Sequence, residues 1–414
     1  MANSRDELLE EIQAQHDEII ELCLEFIRKP SPNPPGDTSL VAQLLTKTLT
    51  SHGLPIQVIA DQHNTPNLIS SIQNGDSNKS LLFLGHMDTY PEGDKSRWTK
   101  PPFGGIVENE CIYGRGAGDM KAGLTALLTS YLILAKTNLF NGRLTLLAVS
   151  DEENFSPHGA RYVMRQCPEL LPNAVLCGEP TGMDRVAFGE KGMVWIESFC
   201  HESSGHGALA LDTPNAIEDM VALLMEITQL RTLSNKLPSD AIPKQQLNQD
   251  HLIETLNHKY YSEELLSALT VNFGLINGGW KINMIADYCR SEIDIRLPPG
   301  LTCQTIIDLL DNVFSKHRGA QYNVIQMAEP NWSDPSEVLF NLLGKNIESL
   351  RGYRPRMEFD IPASDARLFR TRGIPSALYG PRINNPGAAD ENIMVSDLID
   401  CVKVFSLTAH DFLS

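Results

Sequence analysis

Four short apolar runs constrain this chain more tightly than any other feature: Leu81–Leu84, Leu144–Val149, Ala174–Cys177 and Ile374–Tyr379. Each is followed by glycine or polar residues, and helix-patterned stretches at Lys121–Ala135 and His158–Arg165 separate the first three. Strand-like runs alternating with helices are the rhythm of an α/β domain. Ahead of them, Leu8, Ile12, Ile19, Ile20 and Ile27 recur at mostly helical spacing over residues 5–28. Pro30–Pro35 closes that helix in an extended turn, and a second helix is expected over Thr38–His52.

Beyond Arg185 the rhythm changes. Val194–Cys200, Val271–Ile276 and Cys289–Arg296 read as strands, with helices at Ala216–Leu230 and Gln304–His317. An α+β insert of about one domain's length therefore separates two parts of the first domain. The expected division is 1–185 and 329–414 for the first domain and 186–328 for the insert. Residues 232–259 are polar, with Pro and Asn, and read as a surface excursion.

The chain has 414 residues and a formal charge of −18, which argues against broad contact with a phosphate backbone. Its first thirty residues are rich in Glu and Asp without an apolar core, unlike a secretory or transit signal. The longest apolar stretch, Leu124–Ala135, is too short to span a bilayer. Eight scattered cysteines with no Cys-x-x-Cys pair read as reduced thiols, so a cytoplasmic protein is expected.

Chemistry gathers where the apolar runs end. Leu81–Leu84 leads through Gly85 into His86-Met-Asp88, Leu144–Val149 into Ser150-Asp151-Glu152-Glu153, and Ala174–Cys177 into Gly178-Glu179. Asp119, closing Gly114-Arg-Gly-Ala-Gly, stands where an N-cap would open the next helix. That glycine-rich stretch lacks the Lys-Ser/Thr ending of a phosphate loop. In open α/β sheets ligands bind beyond the carboxyl ends of the strands. Three adjacent carboxylates at the end of a buried strand are costly without a cation, and imidazole with carboxylates is a zinc-ligating set. Metal-assisted hydrolysis suits these residues. Glu152 and Glu153, as neighbours on an extended strand end, would point to opposite sides, one to metal and one to water.

The same residues resemble the acetylornithine deacetylase, succinyl-diaminopimelate desuccinylase and aminoacylase-type metallopeptidases. The match runs through Gly-His86-Met-Asp88-Thr, Trp98-Thr-Lys-Pro-Pro-Phe103, Gly-Arg-Gly-Ala-Gly-Asp119-Met-Lys, Asp-Glu152-Glu153 and Gly-Glu179-Pro-Thr. It continues through Gly205-His206, Asn283-Met-Ile-Ala, Asp294-Ile-Arg296 and Ser364-Asp365-Ala-Arg367. The resemblance implies a zinc-exopeptidase-like mixed sheet flanked by helices, with the insert as a lid and dimerisation domain of a homodimer. It implies that His86, Asp119 and Glu179 bind one metal, and that Asp119 bridges to a second held by Glu153. Zinc is the expected metal, with cobalt or manganese as alternatives. Asp88 would orient His86, and Glu152 would be the general acid/base. His206 would polarise the scissile carbonyl and Asn283 would touch substrate, both at a neighbouring subunit's site. Arg367 and Arg296 are candidates for pairing a carboxylate on a small-molecule substrate, or for structural ion pairs.

One ligand of that family pattern is absent. The last metal-binding histidine stands four residues before a glutamate, and four before Glu391 is Gly387. No histidine lies between His317 and His410, neither of these is placed to substitute, and His158 is remote. Water or Asp390 would have to fill the second site, leaving one or two metals per chain. The readings are an amidohydrolase acting on an N-acyl amino acid or short peptide, a repurposed relative forming an amide or transferring an acyl group, or a non-catalytic binding protein.

Overall fold

The protein is described here as a computed structural model over residues 2–233 and 267–414. Apart from its first two residues, the expected polar excursion over 232–259 lies outside the described residues. The chain divides into two compact units: Met1–Phe188 with Ser333–Glu358 and Ser364–Ser414, and Gly189–Trp332 with Phe359–Ala363.

The first unit is built on a mixed sheet. Its strands run in the order Gln57–Ala60, Pro66–Asn74, Gly142–Val149, Ser80–His86, Ala174–Cys177, Ser376–Leu378 and Arg185–Glu190. The four from Gly142–Val149 to Ser376–Leu378 are mutually parallel. These are the four apolar runs of the sequence, and their continuous apolarity follows from burial on both faces. Alternate side chains serve different layers. Leu82, Leu84, Leu147, Val149 and Val175 pack with Ala160, Val163, Ala366 and Phe369. Phe83 turns the other way and meets Phe405 of the helix Val395–Leu413, with ring centroids 6.3 Å apart. The expected N-terminal helix forms as two, Ala2–Ala14 and His16–Ile27, and the next spans Ser39–Ser51.

Parallel register brings the strand ends level. His86 pairs with Val149, and Leu84 and Leu378 both pair with Cys177. The segments that follow therefore emerge side by side at one edge. The helix Ala122–Thr137 passes so near the third strand end that a Cβ on Gly123 would lie 1.9 Å from the Gly178 carbonyl oxygen. Glycine is required there, and the contact draws the segment ahead of that helix toward Glu179.

The second unit is an antiparallel sheet of Thr270–Gly278, Tyr288–Leu297, Gly192–His201 and Ala320–Ala328 in that order. Its helices, Ala216–Thr228 and Cys303–Phe314, supply Met220, Leu223, Ile306 and Leu310 to a core with Val194, Ile196, Ile293 and Ile295. Tyr288–Leu297 alternates strictly between buried and half-buried residues, as a sheet covered on one face demands.

Candidate metal centre

His86 is the last residue of its strand and is 1% exposed. Its Nδ1 lies 3.0 Å from the Asp88 carbonyl oxygen, which only accepts, so Nδ1 carries a proton. Nε2 then faces Asp119 Oδ1 at 3.0 Å and Glu179 Oε1 at 3.7 Å. Ligand atoms of these three residues all lie within 4.8 Å of one another. Burial works against the imidazolium, but Glu179, Asp119 and Asp88 outweigh it and raise the His86 pKa well above its usual value. A cation is what the ring and its two carboxylate neighbours call for.

Asp119 is not the expected N-cap. Asp119 and Met120 have non-helical backbone, with φ/ψ of −114°/100° and −126°/33°, and Lys121 takes the N-cap position. The reason is an anchor that sequence reasoning missed. Glu391, 1% exposed, accepts from the Gly118 and Asp119 amides at 2.9 and 3.4 Å, and Arg115 pairs with its other oxygen. These contacts pull the segment out of helical register and turn the Asp119 carboxylate toward His86. Glu391 was legible only as the fixed end of the family pattern that Gly387 breaks.

Glu152 and Glu153 do not lie on an extended strand end. They form a short 3-10 turn, Glu152–Asn154, entered through Asp151 at a φ of +62°. The turn arises because the Asp88 carboxylate accepts both glutamate amides, Oδ1 from Glu152 and Oδ2 from Glu153, each at 3.1 Å. Asp88 thus organises the acidic turn as well as facing His86 Nδ1 at 3.5 Å. Burial raises the Glu152 pKa to about 8, with Asp365 and Asp88 adding to it and His86 and Arg367 opposing. Glu153 and Glu179 are raised well above the usual range, chiefly by burial and then by Asp119. Glu153 Oε1 is buried without a hydrogen-bond partner. Burial without a partner, beside other carboxylates, fits a divalent cation.

Arg367 is 2% exposed, sits 3.8 Å from Glu152 Oε1 and 3.6 Å from Asp365, and lies over the Phe155 ring. In the second unit His206 and Asn283 come together. Gly205–His206 pairs with Met284–Ile285, and Gly207 donates to the Asn283 carbonyl at 2.9 Å. Both side chains are exposed. Arg296 is elsewhere in that unit, with Nε 2.8 Å from Asp294.

The alternative ligands are engaged elsewhere. Asp390 accepts from Thr99 N and Oγ1, both at 2.9 Å, and from Lys100 N at 3.3 Å. His158 pairs with Asp61, His317 with Glu226, and His410 with the Leu139 carbonyl. Gly387 has a φ of +68°, and a Cβ there would touch the Tyr90 ring at 3.4 Å.

A parallel-centred α/β sheet that lines up buried imidazole and carboxylates at its strand ends is the frame of a metal-dependent hydrolase. Residues 82–411 match peptidase family M20/M25/M40, and the chain belongs to that family of metal-dependent enzymes that hydrolyse amide bonds. It is 27% identical over 396 residues to a succinyl-diaminopimelate desuccinylase of Gluconacetobacter diazotrophicus, covering 93% of this chain and 94% of that one. An acetylornithine deacetylase of Yersinia pseudotuberculosis is 31% identical over 259 residues, 62% of this chain and 60% of its own. The fold is similar to an M20 family metallo-carboxypeptidase from Sulfolobus solfataricus, with a TM-score of 0.80, 21% identity and coverage of 95% and 99%. It is also similar to a di-peptidase from Saccharomyces cerevisiae, with a TM-score of 0.79, 15% identity and coverage of 100% and 99%. No helix among the described residues is long and apolar enough to cross a membrane.

Proposed function

We propose that this enzyme cleaves the amide bond of an N-acyl amino acid or small peptide-like molecule bearing a carboxylate, using one tightly held divalent metal. The observation that carries this reading is the convergence of His86 Nε2, Asp119 and Glu179 beside a Glu152–Glu153 turn locked onto Asp88. His86, Asp119 and Glu179 would hold the metal, zinc before cobalt or manganese, and Asp119 and Glu153 would form a weaker second site. A cation there supplies Lewis acidity, polarising an amide carbonyl and making water a better nucleophile. Glu152 takes a proton from the attacking water and passes it to the leaving amine. Burial beside Asp365 and Asp88 favours the protonated form of its carboxyl, which suits it to hold the proton between the two transfers. Asp88 keeps the proton on His86 Nδ1 and so leaves Nε2 to ligate.

His206 would polarise the substrate carbonyl and Asn283 would hold the substrate, at the site of a partner subunit. Arg367 acts on Glu152 from the interior, and Arg296 remains the second candidate for a substrate carboxylate. A homodimer through the inserted unit is supported by Ile217, Val221 and Met225, which recur every fourth residue on the exposed face of one helix. The neighbouring strand Thr270–Gly278 adds exposed Leu275 and Ile276 at a sheet edge. Eight free cysteines, seven of them buried, support a reducing, cytosolic setting.

The test is metal content by elemental mass spectrometry on protein purified without chelator, together with hydrolysis of a panel of N-acyl amino acids. One metal per chain with turnover is expected, and Gly387→His should bring a second metal. Two tight metals in the natural chain would overturn the one-metal reading, and no turnover with metal supplied would overturn hydrolysis.

A further inference from the structure

The loop Ser31–Gly36 takes no part in the chemistry proposed above, yet it is strapped to the strand end that carries His86 and Asp88. Asn33 N donates to the Thr89 carbonyl at 2.8 Å, Thr89 N to the Ser31 carbonyl at 2.9 Å, and Ser31 Oγ to the Met87 carbonyl at 2.7 Å. The Asn33 side chain reaches further. Its Nδ2 lies 2.9 Å from Asp88 Oδ2 and 2.9 Å from Asp151 Oδ1. Both carboxylates are buried, at 0% and 3% exposure. A carboxylate only accepts, and an amide NH2 carries two protons, so one amino group serves both and the orientation of the amide follows. Gly36 closes the other side: its φ is +80°, and a Cβ there would stand 3.1 Å from Asn33 Oδ1.

The two carboxylates are the ones that shape the acidic turn. Asp88 Oδ1 accepts from Glu152 N and faces His86, and Oδ2 accepts from Glu153 N and Asn33. Asp151 opens the same turn, and its Oδ2 accepts from His158 N at 3.1 Å. Without the amide between them, two buried carboxylates would face one another, and like charges repel strongly away from water. A rotation of Asp88 that relieved this repulsion would carry its oxygens off the Glu152 and Glu153 amides.

We propose that Asn33 is a positioning residue: its side-chain amide bridges Asp88 and Asp151 and thereby sets the direction in which the Glu152–Glu153 turn presents its carboxylates. The effect on turnover rests on the reading of Glu152 and Glu153 given above, whereas the bridge itself is testable without metal.

The experiment compares Asn33→Ala with Ser31→Ala. Ser31 ties the same loop to Met87 but touches neither carboxylate, so its loss reports a loosened loop alone. In hydrogen exchange by mass spectrometry on the metal-free full chain, Asn33→Ala should speed exchange in the peptide spanning residues 150–155 by about tenfold or more. Ser31→Ala should leave that peptide near the wild-type rate. In the metal-loaded enzyme, Asn33→Ala should lower kcat on an N-acetyl amino acid by about 10²-fold with KM little changed, because misplacement of the proton carrier acts on the chemical step. Asn33→Ser keeps one short donor and should fall between the wild type and Asn33→Ala, which preserves the test if the alanine variant does not fold. Unchanged exchange over 150–155, or equal acceleration by both alanine variants, overturns the proposal whatever the turnover. Faster exchange confined to the Asn33 variants supports the bridge. If in that case the wild type binds no metal and cleaves no amide, it is the metallohydrolase reading that falls.

Discussion

In the first unit the candidate ligands and proton carrier lie in or at the edge of the interior, and their backbone is tied down. Asp88 holds the Glu152–Glu153 turn, Glu391 holds the segment before Asp119, and a close helix crossing holds the end of the strand before Glu179. In the second unit His206 and Asn283 stand exposed on a two-residue ribbon, next to Leu211, Trp280 and Ile282, which are 97%, 75% and 101% exposed. The difference teaches where pre-organisation is stored. The first unit has a set geometry before any ligand arrives, at the cost of crowding carboxylates. The second offers groups whose final positions depend on what they meet.

This contrast breaks down if substitutions in the two units behave alike. The largest effect is expected from Glu152→Gln, which removes the proton carrier and should lower kcat by about 10²–10⁴-fold with metal content unchanged in elemental analysis. A normal kcat would return Glu152 to a structural role. His206→Ala should cost about 10²-fold in kcat, the scale of losing one group that stabilises developing charge. Because the ring is exposed, its melting temperature should match the wild type; a lower one would show that His206 is as embedded as the first unit's residues. Met225→Glu places a charge in the apolar helix face and should convert a dimer to monomer in analytical ultracentrifugation. A monomeric wild type would remove the reason for that face.

Two smaller effects sharpen the comparison within the second unit. Lys191 is 1% exposed, and burial lowers its pKa to about 8 from 10.5, with Arg296 adding to the shift. The unfolded chain therefore keeps this proton to higher pH than the folded one, and stability rises as pH climbs from about 8 to about 10.5. The melting temperature of the wild type relative to Lys191→Met should rise across that window, and a flat difference would show that Lys191 titrates normally. Arg296→Ala should change stability by less than about 1 kcal/mol, since its partly exposed pair with Asp294 is of the kind that contributes little. A large loss of activity without a loss of stability would instead make Arg296 a substrate contact.

What was legible in the sequence follows from burial. The four central strands were readable because a parallel strand covered on both faces must be apolar throughout, and such runs stand out against their surroundings. The ends of those runs carried His86, Glu152, Glu153 and Glu179 for the same reason: a strand stops where polar side chains begin. The family pattern added His206 and Asn283, gave Asp119 the role of a ligand, and showed that Gly387 stands where a histidine was expected. Asn33 gave no signal, because a proline-rich turn looks alike whether or not its asparagine reaches a buried carboxylate.

By itself the sequence determined the alternation of strands and helices, the insertion of a second unit and the residue types at the strand ends, all set by local apolar patterning. Only the tertiary structure decided how those residues face one another. Hydrogen bonds that Asp88 accepts from two successive amides made a turn of an expected strand end, and Glu391 turned an expected helix cap into a carboxylate beside His86. These partners lie tens to hundreds of residues apart in the chain, and no local preference of an aspartate or glutamate records which distant amide it will accept.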